Sequence, residues 1–174
     1  MVYFCWELEF FYGILQEEGM LHNDLLIPQR DPALRETDII LIVEDDDSNG
    51  EFLVELLLEE SSYYPIRLAD GFQALKLTQL LRPKLLILDY YLPKMSGIVL
   101  YDHLHSIPEL CDIPALILSA RLEGHEDEIQ KRGLVALVKP FDLEVFFVAI
   151  EKLLGCDIRL LDSARPEFQG EQLI

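Results

Sequence analysis

Carboxylates stand where two apolar runs end. Leu85-Leu86-Ile87-Leu88 delivers Asp89 into a segment punctuated by Pro93 and Gly97, and Ile39-Ile40-Leu41-Ile42-Val43 delivers Glu44 and Asp45, with Asp46 and Asp47 close behind. Two further runs end in complementary groups, Ala115 to Leu118 in the hydroxyl of Ser119 and Val135 to Val138 in the amine of Lys139. Carboxylate oxygens with no histidine or cysteine nearby are hard ligands suited to Mg²⁺, which keeps several waters and binds through one or two carboxylates plus a phosphate. Taken alone, Asp89 reads equally well as a cap for the turn that follows it. Brought together, Glu44, Asp45 and Asp89 repel one another by about 4 kcal/mol per close pair at an effective dielectric near 20, so something positive must live among them.

The elements that carry these groups follow from periodicity. Continuous apolar runs of four or five residues bounded by turn residues read as strands buried on both faces, as in parallel sheets covered by helices. Strands are predicted over Ile39 to Val43, Pro65 to Ala69, Leu85 to Leu88, Ala115 to Leu118 and Val135 to Val138. Between and after them come helices. The first is capped by Asp47 or Ser48 and buries Phe52, Leu53, Leu56 and Leu57; others cover Phe72 to Leu81, Gly97 to Ser106 and the very polar Glu123 to Lys131. The last, Asp142 to Leu154, gathers Leu143, Phe146, Phe147, Ile150, Leu153 and Leu154 on one face. Strands alternating with helices imply an α/β fold, a doubly wound five-stranded parallel sheet with right-handed crossovers. The common order 2-1-3-4-5 puts the switch point between the first and third strands, where Glu44, Asp45 and Asp89 end.

The set Ile42-Val43-Glu44-Asp45, Leu88-Asp89 with Leu92-Pro93 and Ser96-Gly97, Leu118-Ser119-Ala120 and Val138-Lys139-Pro140-Phe141 resembles the receiver domain of two-component response regulators. The resemblance covers about 38–154, and receivers are themselves a standard example of the flavodoxin-like strand order. It implies phosphoryl transfer from a sensor histidine kinase or a histidine phosphotransfer protein onto Asp89, the nucleophile of a labile acyl phosphate. It further implies that Glu44, Asp45, Asp89 and the main-chain carbonyl of Tyr91 hold Mg²⁺. Lys139 and Ser119 would engage the phosphoryl group beside the amides of Tyr91 and Ala120. In such relatives the Lys139-Pro140 bond is often cis.

The sequence departs from the family at Ala136, which stands where an aromatic switch residue is usual, three positions before the lysine. Tyr91 and Arg121, each two positions after a site residue, occupy places that in relatives influence how fast the phosphoryl group is lost. A rival reading is a phosphohydrolase that also forms an aspartyl phosphate. Such enzymes carry a second aspartate two residues after the nucleophile, where this chain has Tyr91. The other alternative is a receiver-like interaction module that is never phosphorylated.

Composition bounds the rest. The 174 residues, 51% of them hydrophobic, suffice for one core. Thirty-two acidic against 14 basic residues give a net charge of −18, and with no local basic patch this argues against nucleic acid and anionic membrane surfaces as partners. Cys5, Cys111 and Cys156 share no metal-ligand or redox spacing, which suits packing roles in a reducing cytoplasmic setting. Residues 1–37 read as an extension and linker. A short helix would gather Phe4, Leu8, Phe11 and Leu15 on one stripe for a partner or a homodimer; the alternatives are packing on its own domain or a loosely ordered extension, and the segment fits neither a signal peptide nor a membrane span. Residues 155–174 are a short tail with too little chain for a DNA-binding or enzymatic domain, so a stand-alone receiver acting through protein contacts is expected. His22, His103, His105 and His125 read as surface or packing residues rather than phosphohistidine sites.

Overall fold

The computed structural model describes residues 38–156. The readings made for residues 1–37, for His22, for Cys5 and for most of the tail lie outside them. Five strands, β1 (Ile39–Val43), β2 (Tyr64–Leu68), β3 (Leu85–Asp89), β4 (Ala115–Ser119) and β5 (Val135–Val138), alternate with five helices. The helices are α1 (Asp47–Glu60), α2 (Gly71–Leu77), α3 (Gly97–His105), α4 (Glu126–Lys131) and α5 (Leu143–Leu154). All strand pairs are parallel and the order is β2-β1-β3-β4-β5. That order places β1 beside β3, with Val43 opposite Leu88, so the residues that follow each strand share one edge.

The strands are mostly apolar because helices cover the sheet. Every residue of β1, β3 and β4 is buried, including Asp89 and Ser119 at their ends. On one face, Ile40, Ile42, Leu85, Ile87, Leu116 and Leu118 meet Leu53 and Leu57 of α1 and Val145, Phe146, Phe147, Ala149 and Ile150 of α5. Phe146 lies at the centre, stacked on Phe141 at 5.2 Å and edge-on to Phe147 at 5.5 Å. Full burial of such side chains contributes roughly 1.5 to 3 kcal/mol each, which fixes the sheet and its covering helices as one frame.

Several helix boundaries differ from the sequence reading. The cap of α1 is Asp46, whose side chain accepts from the Asn49 amide at 2.8 Å; Asp47 and Ser48 already belong to the helix. Helix α2 stops at Leu77, since Thr78 turns its hydroxyl back onto the Ala74 carbonyl at 2.9 Å and the following amides form tight turns. Helix α4 begins only at Glu126, because Gly124 adopts a positive φ of 84° that interrupts a helical path from Glu123. The strand β2 starts and ends one residue before the stretch expected for it. Two expected core residues, Phe52 and Leu143, are 46% and 43% exposed: each sits at the margin of its helix's apolar stripe, in the first turns. Cys111 and Cys156 are exposed free thiols rather than packing residues.

Candidate functional site

The three carboxylates converge. Oxygens of Glu44, Asp45 and Asp89 lie within 4.8 Å of one another. Glu44 and Asp89 are buried and Asp45 is exposed, so the group opens to solvent on one side. Across the sheet edge, Lys139 sends its Nζ between the two buried carboxylates, 2.5 Å from Glu44 Oε2 and 3.3 Å from Asp89 Oδ2. It reaches them because β5 pairs with β4, which pairs with β3, and the Lys139 amide donates to the Ser119 carbonyl at 2.7 Å. The Lys139-Pro140 bond is cis, as the resemblance implied.

Electrostatics follow from this packing. Burial holds the Glu44 carboxyl above its usual range, the Asp89 charge adds to that, and the Lys139 ammonium opposes it. One amine cannot neutralise three carboxylates. The remaining negative charge, oxygen ligands and an open side make a place that could hold a divalent cation of the Mg²⁺ type.

Local structure explains why Asp89 is so placed. The Tyr91 amide points at Asp89 Oδ1 from 3.4 Å, and the chain then turns through Lys94 at a φ of 68° into α3. That helix starts against β3. A Cβ on Gly97 would stand 2.3 Å from the Asp89 carbonyl oxygen, so only glycine permits the approach, and the Gly97 amide donates to the Tyr90 carbonyl at 2.9 Å. Lys94 Nζ meets Asp70, the cap of α2, at 2.9 Å and holds its carboxyl below the usual range.

Ser119 is fully buried at the end of β4, and its hydroxyl donates to the Arg121 carbonyl at 2.5 Å. Tyr91, 42% exposed, has its hydroxyl 3.2 Å from His125 Nε2, while Ala136 is buried on β5 opposite Ile117. Sequence reasoning missed two features beside these. Tyr90, His125 and Glu128 form a polar clasp: Tyr90 donates to Glu128 Oε1 at 2.5 Å and lies 2.7 Å from His125 Nδ1, with the Tyr90 and His125 rings 4.3 Å apart. No motif signals a contact between residues so far apart in the chain. The second is Arg67, whose guanidinium bonds the Glu44 carbonyl and Asp47; a lone cation inside the apolar run of β2 was its signal.

The model of the response regulator receiver domain matches residues 40–151. The chain belongs to the response regulator receiver family. It is 34% identical over 118 residues to the polar-differentiation response regulator DivK of Brucella anthropi, covering 67% of this chain and 95% of that relative. Among solved structures it resembles a putative response regulator from Chloroflexus aurantiacus, with TM-score 0.61, 30% identity, and 68% of this chain and 98% of the other covered. The fold is also shared with the receiver domain of the sensor histidine kinase PA1611 from Pseudomonas aeruginosa, at TM-score 0.62 and 23% identity, covering 68% of this chain and 98% of that one. That structure is described as holding a magnesium ion coordinated in its active-site cleft. Receivers are signalling domains of two-component systems, working with histidine kinases or phosphotransfer proteins and with downstream targets. No helix among the described residues is long and apolar enough to cross a membrane.

Proposed function

We propose that this receiver accepts a phosphoryl group on Asp89 from a phosphohistidine of a sensor kinase or phosphotransfer protein, in the presence of Mg²⁺, and signals in the cytoplasm through protein contacts. The observation that carries the reading is the convergence of Glu44, Asp45, Asp89 and Lys139 on one sheet edge. In the transfer, an Asp89 carboxylate oxygen bonds to phosphorus as the phosphorus–nitrogen bond of the donor breaks, and that electron pair stays on the imidazole. Little covalent help is needed beyond positioning and neutralisation of charge on the phosphoryl oxygens.

Glu44, Asp45, the Asp89 carboxylate and the Tyr91 carbonyl are the groups for the metal, which supplies positive charge to those oxygens when bound. Lys139 stands within reach of Asp89 and provides the second charge. Ser119 leaves the Arg121 carbonyl to hydrogen-bond the phosphoryl group, beside the amides of Tyr91 and Ala120. Because Ser119 is tied to the loop before α4, its movement shifts that loop. With a buried methyl group at Ala136, no ring on β5 takes part in that shift. Residues 38–154 form the signalling unit, 1–37 are an extension through which a partner or a second copy binds, and 155–174 are a short tail.

Incubation with acetyl phosphate and Mg²⁺ tests this. Stoichiometric labelling that disappears in Asp89→Asn supports the acceptor role. Absence of labelling favours the non-phosphorylated interaction module to which Ala136 points, and steady turnover of phosphate esters favours the phosphohydrolase.

A further inference from the structure

Arg67 lies across the start of α1 with its side chain only 15% exposed. Its Nε and Nη2 donate to the Glu44 carbonyl at 3.2 and 3.1 Å, and Nη2 also donates to Asp47 Oδ1 at 2.8 Å. One planar group thus grips both ends of the turn Glu44-Asp45-Asp46-Asp47, and a rigid fork of donors holds two acceptors in a fixed relation as an ammonium cannot. Room for it comes from Gly50. A Cβ there would stand 2.0 Å from Arg67 Nε and 2.7 Å from Cζ, so any other residue at position 50 must push the guanidinium away.

These bonds go to the turn that carries the ligands. We propose that Arg67 is a positioning residue of the cation site, its guanidinium seated over Gly50 to lock the Glu44–Asp47 turn so that Glu44 and Asp45 face Asp89. The inference rests on the reading of that cluster as a Mg²⁺ site.

Sign separates this role from the alternative. A positive charge close to an acidic cluster opposes cation binding, so if Arg67 acted only by its charge, removing it would tighten Mg²⁺ binding. If it acts by fixing the turn, removing it loosens binding, since each cation then has to order ligands that are otherwise preset.

Titration calorimetry of the full chain with MgCl₂ reads the difference, using Arg67→Gln, Arg67→Lys and Gly50→Ala. The last keeps the charge and places a better helix former in α1, so it displaces the guanidinium without weakening the helix through propensity. Weakening of the Mg²⁺ dissociation constant by about threefold or more in all three, with Arg67→Lys no better than Arg67→Gln, is the expected result, a free-energy change near that of one ordinary hydrogen bond. Melting in EDTA identifies any variant that has lost its fold, and Gly50→Ala then carries the comparison. Tighter or unchanged binding in Arg67→Gln and Gly50→Ala overturns the role of Arg67 while leaving the metal site standing. A wild-type chain that takes up no Mg²⁺ overturns the cation site itself and this proposal with it.

Discussion

The floor of the sheet and its carboxyl-end rim are held by different forces. Beneath the sheet, α5 is fixed by Phe146, Phe147, Ala149 and Ile150 against β1, β3 and β4, with Phe141 stacked on Phe146. Along the rim, α4 has Ile129 as its buried apolar residue and is otherwise tied by Tyr90 to Glu128, by His125, and by the paired bonds of Arg132 to Asp102, both 2.7 Å. Apolar burial is non-directional and lost only with the whole core, whereas each rim contact is a polar bond that water or a phosphoryl group can replace. The contrast teaches where the molecule can move at low cost. Directional bonds at the rim can be re-aimed one at a time, whereas the apolar floor moves as a packed unit.

The largest effect that sharpens the contrast is on the floor. Phe146→Ala should destabilise the chain by about 4 kcal/mol through lost transfer energy and a cavity, and denaturant unfolding should show the same loss with and without Mg²⁺. The rim behaves otherwise. Lys139→Met leaves Glu44 and Asp89 without their ammonium and should cost about 3 kcal/mol, most of it recovered on adding Mg²⁺. A loss indifferent to Mg²⁺ breaks the claim that charge, rather than packing, sets the rim. Tyr90→Phe deletes one bond to Glu128 and should cost only about 1 kcal/mol. Hydrogen exchange should place that loss in α4 and not in α5.

Acid gives the smallest and most selective perturbation. The Tyr90 bond, assisted by His125, holds the Glu128 carboxyl below its usual range, and Arg132 does the same for Asp102, so their stabilisation is present above the ordinary carboxylate range and fades as pH falls through the lowered values. Glu44 is raised, so its contribution runs the other way: it favours the fold below the ordinary value and is lost as pH rises through the folded one. Amide exchange without metal between about pH 3 and 6 should therefore show α4 losing protection on acidification while the end of β1 does not. Equal loss in both regions contradicts the assignment.

Sequence alone revealed the floor better than the rim, for physical reasons. Uninterrupted runs such as Ile39 to Val43 and Leu85 to Leu88 can be satisfied only by burial on both faces, so the strands were legible, while their order and shared edge came from the common doubly wound arrangement and the family resemblance. The cap of α1 was not, because Asp46 and Asp47 are chemically identical and only backbone geometry chooses between them. Helical periodicity put Phe52 and Leu143 on apolar stripes without showing that both side chains stay largely exposed. The clasp of Tyr90, His125 and Glu128 is a product of tertiary approach, and His125 gave no sign of it beyond being an isolated histidine. Arg67 was visible as a misfit in an apolar strand, and only the missing Cβ of Gly50 explains where its charge goes.

The most direct test locates the phosphoryl group on the chain. After incubation with acetyl phosphate and Mg²⁺, borohydride reduction converts an aspartyl phosphate to homoserine, and peptide mass spectrometry reads which position has changed. The account predicts conversion at Asp89 alone, abolished when EDTA replaces Mg²⁺. Conversion at Asp45 or another carboxylate, or an unchanged Asp89 at full exposure to the donor, contradicts it.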